Sequence, residues 1–561
     1  MRDIFKILNL KDKKIFFVLI FMMIIASILE MLGISLIIPI ILSLSNQNIF
    51  DKYPFLEKTN HLLNYPSSEE LVIISITLLG AIYIIKNLYF VLFHYVESRI
   101  LASTLEKKSQ KLFSIYINRP YNFHLNTNTS EFVNRFRIDL PALRSSLLAF
   151  SNIFTEIFIL IGIVSFLIIY NPKVFLLVFF LVSFFSIIFF VFFKKFFKKL
   201  GFERQITENI RSKTLQETFA AIKEIKVSKL EKFFYFNYEK ISEKLKINFA
   251  NVNFLNSLPK IYFETLAILI LIFIVFFVLF FSNIEIDNFL TILGVFAGAA
   301  FKFLPSANRL ISSFNRLRYN SKSIIELKKD LDRKSNLLLE NIKSFKFIEL
   351  NEINFNYGKK KVFEGLNLKI KVNDKIFIYG DTGSGKSTLM DILLGLKKTI
   401  SGKVIINNKD YSKSFFSFGE ILGYVPQSVF LFDETIKNNI TLFNNDIEKG
   451  YLKKCIEYSK LSKFVESLKD GHNSLVGQNG IKISGGQKQR IGIAREIFKN
   501  PKVILFDEST NSLDKKTEKE FLEDFLKFYK DKTVIFISHN QELKKYFDQV
   551  FKIENFKIIK E

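Results

Sequence analysis

The 561-residue sequence contains a single cysteine, Cys455, and no tryptophan. One cysteine excludes an intramolecular disulfide, so the soluble part can reside in a reducing compartment. The absence of tryptophan beside heavy use of Phe, Ile, Lys and Asn is typical of AT-rich coding and says nothing about mechanism. The first apolar run, from Ile15 to about Leu44, is too long for a signal-peptide core and lacks a small-residue cleavage site, which predicts a retained first membrane span.

Charged residues are scarce in the apolar blocks of the first 300 or so residues and frequent afterwards. This contrast predicts a membrane part followed by a soluble part. The formal net charge of +25 would suit a nucleic-acid ligand, but the basic residues cluster beside the apolar blocks, as in KKFFKK (194–199) and KEIKVSKLEKFF (223–234). That placement is typical of the cytoplasmic flanks of membrane spans, so we expect no nucleic-acid partner.

Six apolar segments are long enough to cross the hydrocarbon core of a bilayer, namely 15–44, 70–95, 145–170, 173–194, 260–282 and 286–308. Only Asn171 and Pro172 separate the third segment from the fourth, which predicts a tight hairpin. The long basic stretches 96–143 and 195–258 have helical periodicity and are predicted to be cytoplasmic, together with both termini. The outer loop 45–69 contains either a short amphipathic helix at the membrane surface or an ordered loop packed on its neighbours.

The segment IFIYGDTGSGKST (376–388) carries the strongest chemical signal. An apolar strand runs into Gly-x-x-x-x-Gly-Lys-Ser and then into a helix, which is the pattern of a P-loop. Backbone N–H groups of such a loop hold phosphates at a helix N-terminus, the lysine reaches the β- and γ-phosphates, and the serine hydroxyl ligates Mg²⁺. The candidate nucleotide-binding residues here are Gly380, Asp381, Thr382, Gly383, Ser384, Gly385, Lys386, Ser387 and Thr388.

A second buried strand is predicted in KVILFDEST (502–510), and it ends in two carboxylates. Asp507 and Glu508 would then lie at the carboxyl end of a parallel strand, where the ligands of open α/β sheets bind. Asp507 suits a direct or water-mediated contact with Mg²⁺, and Glu508 suits polarisation of the attacking water.

The stretch KISGGQKQRIGIAR (482–495) resembles the signature sequence of ABC ATPases, with Ile483 where Leu is usual. Other positions agree with that family. Tyr357 resembles the aromatic that stacks on adenine, Gln427 the glutamine that senses Mg²⁺ and the γ-phosphate, and His539 the switch histidine, which is implied to act with Lys386 on the γ-phosphate. The resemblance also implies ATP contacts for Ser484, Gly485, Gly486 and Gln487.

Two further stretches resemble family motifs. VGQNG (476–480) is similar to the exporter-specific loop before the signature, and Asn511-Ser512-Leu513-Asp514 occupies the place of the D-loop. Asn511-Ser512 departs from the usual D-loop, and Asn540 follows the histidine where Arg is common. Neither departure removes a catalytic group.

The resemblance implies the architecture of an exporter half-transporter, since the chain carries one P-loop, one signature and six spans. We expect a multidomain membrane protein in which a six-helix transmembrane exporter domain (1–325) is followed by a linker (326–344) and an α/β P-loop nucleotide-binding domain (345–561). In this family ATP lies between the P-loop of one subunit and the signature of another, which implies a homodimer that uses ATP and Mg²⁺. The implied location is the cell (inner) membrane, with the ATPase domain in the cytoplasm.

Two membrane segments, LPKIYFE (258–264) and LPSANRLISSFNRL (304–317), are similar to the PglK type of ABC exporter, which flips lipid-linked oligosaccharides. This similarity implies a glycolipid pyrophosphate as substrate. An exporter of another lipid, a lipopolysaccharide precursor or a peptide is the alternative. A nucleic-acid-associated ABC ATPase or a regulatory subunit is disfavoured by the six spans and by the intact Glu508 and His539.

Four basic residues fall in or beside the predicted spans. Counting along the helices places Lys86 and Lys302 in the inner half of the bilayer, Lys260 at the entry of the fifth span, and Arg309 on the same helix face as Lys302. They are either boundary residues that snorkel to the headgroups or a basic belt along the path of an anionic substrate. A further alternative is that they are neutralised by the acidic residues within the spans, Glu30, Glu156 and Glu264.

Overall fold

The computed structural model describes residues 2–35, 68–281, 286–333 and 340–561, apart from residues 445, 447, 449 and 512. The chain divides into two compact units. The first comprises Met1–Asn118 and Thr127–Ser335, and the second comprises Arg119–Asn126 and Asn336–Glu561. The outer loop 45–69 is predicted to contain a surface helix or an ordered loop. Its residues 45–67 lie outside the described residues.

All the secondary-structure elements in the described residues of the first unit are helices. Its six long helices each overlap one predicted span, and they are α2 (Leu10–Ser35), α3 (Ser68–Ile117), α6 (Leu140–Tyr170), α7 (Pro172–Ala220), α9 (Glu231–Phe281) and α10 (Ile286–Tyr319). Shorter helices connect or flank them, namely α1 (Arg2–Ile7), α5 (Thr129–Asn134), α8 (Ile222–Val227) and α11 (Ser321–Asp332), with a π-helical turn at Arg135–Asp139. By length and composition alone, the described residues contain three helices that could cross a membrane, within Val72–Ile117, Thr129–Tyr170 and Glu231–Phe273.

The hairpin predicted at Asn171 and Pro172 is confirmed. Helix α6 ends at Tyr170, Asn171 has extended backbone angles (φ −151°, ψ 95°), and α7 begins at Pro172. The Asn171 side chain accepts a hydrogen bond from the Val174 backbone N–H at 3.2 Å. A capping asparagine followed by proline at the first helical position therefore starts the new helix with one of its free N–H groups satisfied.

A buried ionic network crosses the first unit at the π-helical turn. The Arg135 guanidinium lies 2.7 Å from the carboxylates of both Asp139 and Asp330. The Tyr116 hydroxyl donates to Asp330 at 2.8 Å, and the Gln205 side-chain amide donates to Asp139 at 2.9 Å. Helices α3, α7 and α11 are thereby joined by polar contacts that leave the buried carboxylates fully partnered.

The charged segment after the last long helix begins with a further helix. Residues 321–332 form α11, whose Ile324, Leu327 and Leu331 are buried at helical spacing against the first unit. The first part of the predicted linker is thus a packed amphipathic helix. The division between the units falls at Ser335 and Asn336.

The described residues of the second unit form three sheets. The strands are β1 (Glu340–Asn341), β2 (Phe347–Tyr357), β3 (Lys360–Lys371), β4 (Lys375–Gly380), β5 (Ser401–Ile406), β6 (Lys409–Asp410), β7 (Phe416–Ser417), β8 (Leu422–Val425), β9 (Val503–Asp507), β10 (Thr533–Ile537), β11 (Gln549–Glu554) and β12 (Lys557–Lys560). The central sheet has the order β12-β11-β4-β10-β9-β8 and is parallel except for β12. An antiparallel sheet has the order β3-β2-β5-β6, and β1 pairs with β7.

The helices of the second unit are α4 (Tyr121–Asn126), α12 (Lys386–Leu393), α13 (Ile436–Thr441), α14 (Tyr451–Tyr458), α15 (Ser462–Glu466), α16 (Gly485–Lys499) and α17 (Lys515–Phe528). Strands β4, β9 and β10 are buried along their whole lengths, because their near-continuous apolar sequences are covered on both faces. One core cluster lies against the antiparallel sheet and α12, and another includes Phe506, Phe521, Phe525 and Tyr529.

Candidate functional site

The central sheet aligns the ends of three strands. Ile378 of β4 pairs in parallel with Ile537 of β10, and Ile537 pairs with Asp507 of β9. The residues that follow these strands therefore leave the sheet at the same edge, which is the ligand-binding edge of open α/β sheets. The P-loop, Glu508 and His539 are far apart in sequence and meet here.

The P-loop has the geometry of an anion-binding turn before a helix. Gly383 and Gly385 have left-handed backbones (φ +84° and +106°), which glycine adopts without strain, and α12 begins at Lys386. A Cβ on Gly385 would come within 2.7 Å of Val362, whereas Gly383 faces open space. The Ser384 hydroxyl is buried and has no hydrogen-bond partner among the described residues. An open turn with a spare buried hydroxyl and a helix N-terminus fits the phosphates of a nucleotide.

Glu508 is the centre of a polar cluster at this edge. One carboxylate oxygen lies 2.8 Å from His539 Nε2 and 3.5 Å from Lys386 Nζ. The other accepts hydrogen bonds from the side-chain amides of Gln427 at 2.9 Å and Asn511 at 3.4 Å. The structure thus brings together the predicted catalytic residues and the predicted sensing glutamine.

The backbone at Glu508 is left-handed, with φ +49°. Its N–H donates to the Ile537 carbonyl at 3.0 Å, which ties the turn to the end of β10. A non-glycine residue in this region is uncommon and costs of the order of 1–3 kcal/mol. The turn directs the carboxylate towards Lys386 and His539, so this strain is located at the point where the site is assembled.

The candidate Mg²⁺ ligands fit a site that is completed by a nucleotide. Burial raises the pKa of Asp507 above its ordinary value, although the Tyr424 hydroxyl donates to its carboxylate at 3.3 Å and opposes this shift. The Ser387 hydroxyl is exposed at the start of α12. The described residues contain no cluster of three or more His, Cys, Asp or Glu side chains that could hold a metal alone. Asp507 and Ser387 offer one carboxylate and one hydroxyl, and Mg²⁺ is usually held by one or two carboxylates together with substrate phosphates.

Tyr357, the candidate adenine-stacking residue, is the last residue of β2 and is 49% exposed. The Phe355 ring packs edge-on against it, with centroids 5.1 Å apart. Its hydroxyl lies 3.3 Å from the Thr388 hydroxyl and also accepts a hydrogen bond from Lys397. The exposed ring is therefore fixed at its hydroxyl end.

The four candidate signature residues, Ser484 to Gln487, lie at the N-terminus of α16. Ser484 and Gln487 form a reciprocal capping box, in which the side-chain oxygen of each residue accepts a hydrogen bond from the backbone N–H of the other. Among the described residues, no hydrogen bond or ion pair connects these four to the P-loop. Further along α16, the Gln489 side-chain amide donates to the Gln427 carbonyl at 3.3 Å, so the helix contacts the cluster around Glu508 while its first residues do not.

Sequence reasoning missed several residues that hold the site together. Glu518 is buried on α17, accepts a hydrogen bond from the Thr510 hydroxyl at 2.6 Å, and accepts another from the Asn540 amide at 2.9 Å. Asn540 replaces the arginine that is common after the histidine, and here it links the end of β10 to Glu518. No periodicity or motif distinguishes Glu518 in the sequence, because its role depends on a long-range contact.

A second group of charges lies among the long helices of the first unit. Glu30 on α2 lies 2.9 Å from the Lys86 ammonium on α3 and 2.8 Å from the Lys302 ammonium on α10. The side chains of Lys86, Glu30 and Lys302 are 7%, 11% and 32% exposed, respectively. The Tyr83 ring centroid lies 4.0 Å from the Lys86 ammonium. We call Glu30, Lys86 and Lys302 the Glu30 cluster.

The other two candidate substrate residues do not join the Glu30 cluster. Lys260 lies 3.9 Å from Glu264, one turn further along α9, and its side chain is 70% exposed. Arg309 binds the buried Glu156 on α6 through two nitrogens. Within one chain, Lys86 and Lys302 therefore share a carboxylate, whereas Lys260 has its counter-ion on its own helix. Each of the four basic residues contacts one of the three acidic residues named from the sequence.

This combination of a unit of long apolar helices and an α/β unit with a P-loop, a carboxylate pair and a signature helix defines an ABC transporter. The chain belongs to the ABC transporter family. The model described as "ABC transporter transmembrane region" matches residues 15–300, slightly more than half of the chain, and the model described as "ABC transporter" matches residues 363–511.

Similar proteins agree with this assignment. One relative, named as an export ATP-binding/permease protein of Rickettsia typhi, is 34% identical to this chain in the matched region. That region covers 38% of this chain and 38% of the relative. Another relative, named as an ABC transporter ATP-binding/permease protein of Haemophilus influenzae, is 33% identical in the matched region. That region covers 38% of this chain and 39% of the relative. The chain thus spans about two fifths of the length of these curated relatives in the matched regions.

The fold is also that of a solved exporter. The structure of a bacterial Atm1-family ABC exporter with ATP bound superposes with a TM-score of 0.76. The match covers 95% of this chain and 93% of that one at 18% identity. The predicted fold class, a transmembrane exporter domain followed by a nucleotide-binding domain, is confirmed.

Proposed function

We propose that two copies of this chain form an ATP-hydrolysing exporter in the cell membrane, with both termini and the ATPase domains in the cytoplasm. The observation that carries the proposal is the convergence of Lys386, Glu508, His539 and Gln427 at the edge of the central sheet. These are the groups needed to hold a γ-phosphate and to orient an attacking water. Among the described residues, Ser484 to Gln487 make no hydrogen bond or ion pair with the P-loop of their own chain, which supports their contacting the ATP held by a second copy, as the family builds its two ATP sites.

The residues of the site would divide the work as follows. Glu508 would accept a proton from the attacking water, while Lys386 and His539 would stabilise the negative charge that develops on the γ-phosphate. Ser387, Gln427 and Asp507 would hold Mg²⁺, which neutralises phosphate charge when bound. ATP binding would close the two nucleotide-binding domains, and hydrolysis would reopen them.

The motion would reach the membrane domain through the cytoplasmic helical extensions. Residues Arg119–Asn126 group with the second unit, although they lie between two helices of the first unit in the chain. This grouping supports the proposal that the extension near 119–128 docks on the ATPase domain. The extension near 217–228 is proposed to act in the same way.

For the substrate we propose a lipid-linked oligosaccharide with a pyrophosphate group. Support comes from the two PglK-like membrane segments and from the Glu30 cluster. Two lysines share one carboxylate in that cluster, so its three side chains carry one uncompensated positive charge when all are ionised. Such a charge among apolar helices must face the interior or a polar cavity, where an anionic headgroup would compensate it.

The substrate proposal predicts ATP-dependent flipping by the purified protein in sealed vesicles. Lipid-linked oligosaccharide should become accessible on the opposite leaflet in the presence of ATP and Mg²⁺, and ATP turnover should rise with its concentration. A lipopolysaccharide precursor, a simple phospholipid and a peptide serve as competing substrates in the same vesicles. Stimulation by one of these and not by the oligosaccharide lipid would replace the proposed substrate with that class.

The substrate-path role of the lysines predicts distinct effects of single alanine variants. We expect Lys86→Ala and Lys302→Ala to reduce flipping at least about fivefold, because each removes a charge-assisted contact to the headgroup. The exposed Lys260→Ala should have a smaller effect. Lys86→Ala and Lys302→Ala should each still fold, since Glu30 keeps the other lysine as its counter-ion.

Lys246→Ala is a matched control on α9, since this lysine is exposed and lies in the cytoplasmic part of the helix. It should flip at the wild-type rate. Unchanged flipping in the Lys86, Lys260 and Lys302 variants together would exclude the basic belt and leave these residues as boundary charges.

A further inference from the structure

The hydroxyl of Tyr357 is bound by Thr388, the last residue of the P-loop segment, and by Lys397, which no family motif includes in the site. Lys397 donates a hydrogen bond to it, and the Lys397 ammonium lies 4.7 Å from the centroid of the Tyr357 ring. The Thr388 hydroxyl lies 3.3 Å away on α12. Since the tyrosine oxygen accepts from Lys397, its own proton is free to be donated to Thr388.

Lys397 is itself held in place. Its ammonium lies 2.8 Å from the Asp391 carboxylate on α12, and its backbone N–H donates to the Asp391 carbonyl at 3.2 Å. The turn between the two residues contains Gly395 with φ +72°, where an added Cβ would come within 2.4 Å of the Phe416 carbonyl oxygen. The Lys397 side chain is 7% exposed. Burial opposes its charge, but the hydrogen bonds to Asp391 and Tyr357 prevail and raise the pKa of Lys397 above its usual value.

These contacts connect the two halves of the nucleotide site. Helix α12 begins with Lys386 and Ser387, which would hold the phosphates. Thr388 follows directly and contacts the Tyr357 hydroxyl, and Asp391, about one turn further along, holds Tyr357 through Lys397. The ring that would stack on the base is thus connected to the same helix that would hold the phosphates. An aromatic ring stacks well only in a limited range of orientations, so fixing its hydroxyl end limits the loss of side-chain freedom on binding.

We infer that Lys397, fixed by Asp391, is a positioning residue that orients Tyr357 for stacking on the base of ATP. It acts through the tyrosine and not on the phosphates. This inference rests on the proposed ATPase function and assigns the control of base recognition to a lysine outside the family motifs. Its contribution should therefore appear in nucleotide affinity and depend on the presence of a base.

The test is equilibrium binding of ATP to the full-length protein, measured beside steady-state hydrolysis. Lys397→Met should weaken ATP binding and raise KM about three- to tenfold with kcat nearly unchanged, because ground-state and transition-state binding are weakened equally. Lys397→Arg keeps a charged donor and should restore most of the affinity. Lys398→Met is the matched control, since Lys398 is the exposed neighbour and bonds the Lys413 carbonyl at 2.6 Å instead.

Two further arms separate positioning from other roles. Inorganic tripolyphosphate with Mg²⁺ has no base. Lys397→Met and the wild type should therefore bind it with the same affinity. Tyr357→Phe removes the hydroxyl and with it the contacts to both Lys397 and Thr388. Lys397→Met should therefore weaken ATP binding less in the Tyr357→Phe protein than in the wild type, because the hydroxyl that Lys397 bonds is already gone.

The outcomes distinguish the inference from the function on which it rests. Unchanged ATP binding by Lys397→Met overturns the inference, and so does an equal loss of tripolyphosphate binding, which would place Lys397 at the phosphates. A wild-type protein that binds ATP without hydrolysing it would refute the proposed ATPase function while leaving the binding comparison interpretable.

Discussion

Glu508→Gln is expected to reduce ATP turnover by about two orders of magnitude or more while leaving ATP binding intact. The amide has nearly the size of the carboxylate and can still bond His539 and Gln427, which contact Glu508 at 2.8 and 2.9 Å. It has no negative charge with which to accept a proton from water. The loss should therefore appear in kcat, and an equilibrium binding isotherm for ATP should remain close to that of the wild type.

Glu520→Gln provides the control for this variant, because Glu520 is exposed on α17 and the substitution removes the same charge from the same unit. Its turnover should equal that of the wild type. Normal hydrolysis by Glu508→Gln would refute the role of Glu508, whereas parallel loss of ATP binding would indicate that the carboxylate holds the P-loop lysine in place.

Glu30→Gln is expected to destabilise the membrane domain by about 3–5 kcal/mol, which is the usual cost of removing one partner from a buried ion pair. The carboxylate contacts two ammonium groups at 2.9 and 2.8 Å, and Lys86 is 7% exposed. A neutral amide would leave two adjacent positive charges in an environment of low dielectric constant. Thermal unfolding of the protein in lipid nanodiscs measures the effect.

The three members of the Glu30 cluster should differ in how much stability their substitution costs. Lys86→Met and Lys302→Met each leave one ion pair intact, so either variant should lose much less stability than Glu30→Gln. The double variant Glu30→Gln/Lys86→Met should recover part of the loss, because it removes the repulsion between the two lysines. A Glu30→Gln protein as stable as the wild type would show that the cluster is hydrated and that its charges are independent.

The cluster also affects the interpretation of the basic belt. Glu30 competes with any anionic headgroup for both lysines, so an arriving pyrophosphate must displace it or share the ammonium groups with it. Removing the carboxylate should then raise the apparent affinity for the lipid in the protein that remains folded. A boundary role for the lysines predicts no change in lipid affinity.

Local sequence was sufficient for the elements with strong periodic patterns. The apolar runs of β4 and β9 predict strands, and both are buried along their whole lengths, since covering both faces of a strand removes the alternation of polar and apolar residues. Asn171 and Pro172 predict the hairpin through capping and the fixed proline φ. The P-loop spacing predicts the phosphate turn because only glycine adopts the backbone angles that the turn requires.

Contacts between distant segments could not be derived in this way. Counting along helices placed Lys86, Lys260 and Lys302 at one depth, but depth does not specify the rotation of a helix or its neighbours. The same limit applies to Arg309, whose partner Glu156 is 153 residues away. Ion pairs of this kind depend on which helix faces which, and no local pattern encodes that choice.

The sequence by itself determined the order of the two domains, the long apolar helices, the two strands that lead to the P-loop and to Glu508, and the identity of the groups that can handle phosphate. These follow from interactions between residues close in the chain, such as turn geometry, capping and hydrophobic periodicity. Only the tertiary structure decided which groups work together: the left-handed turn that directs Glu508 to His539 and Lys386, the attachment of Tyr357 to α12 through Lys397, and the sharing of Glu30 by two lysines. Each of these depends on packing between segments that are distant in the chain, which specifies geometry that residue types alone do not.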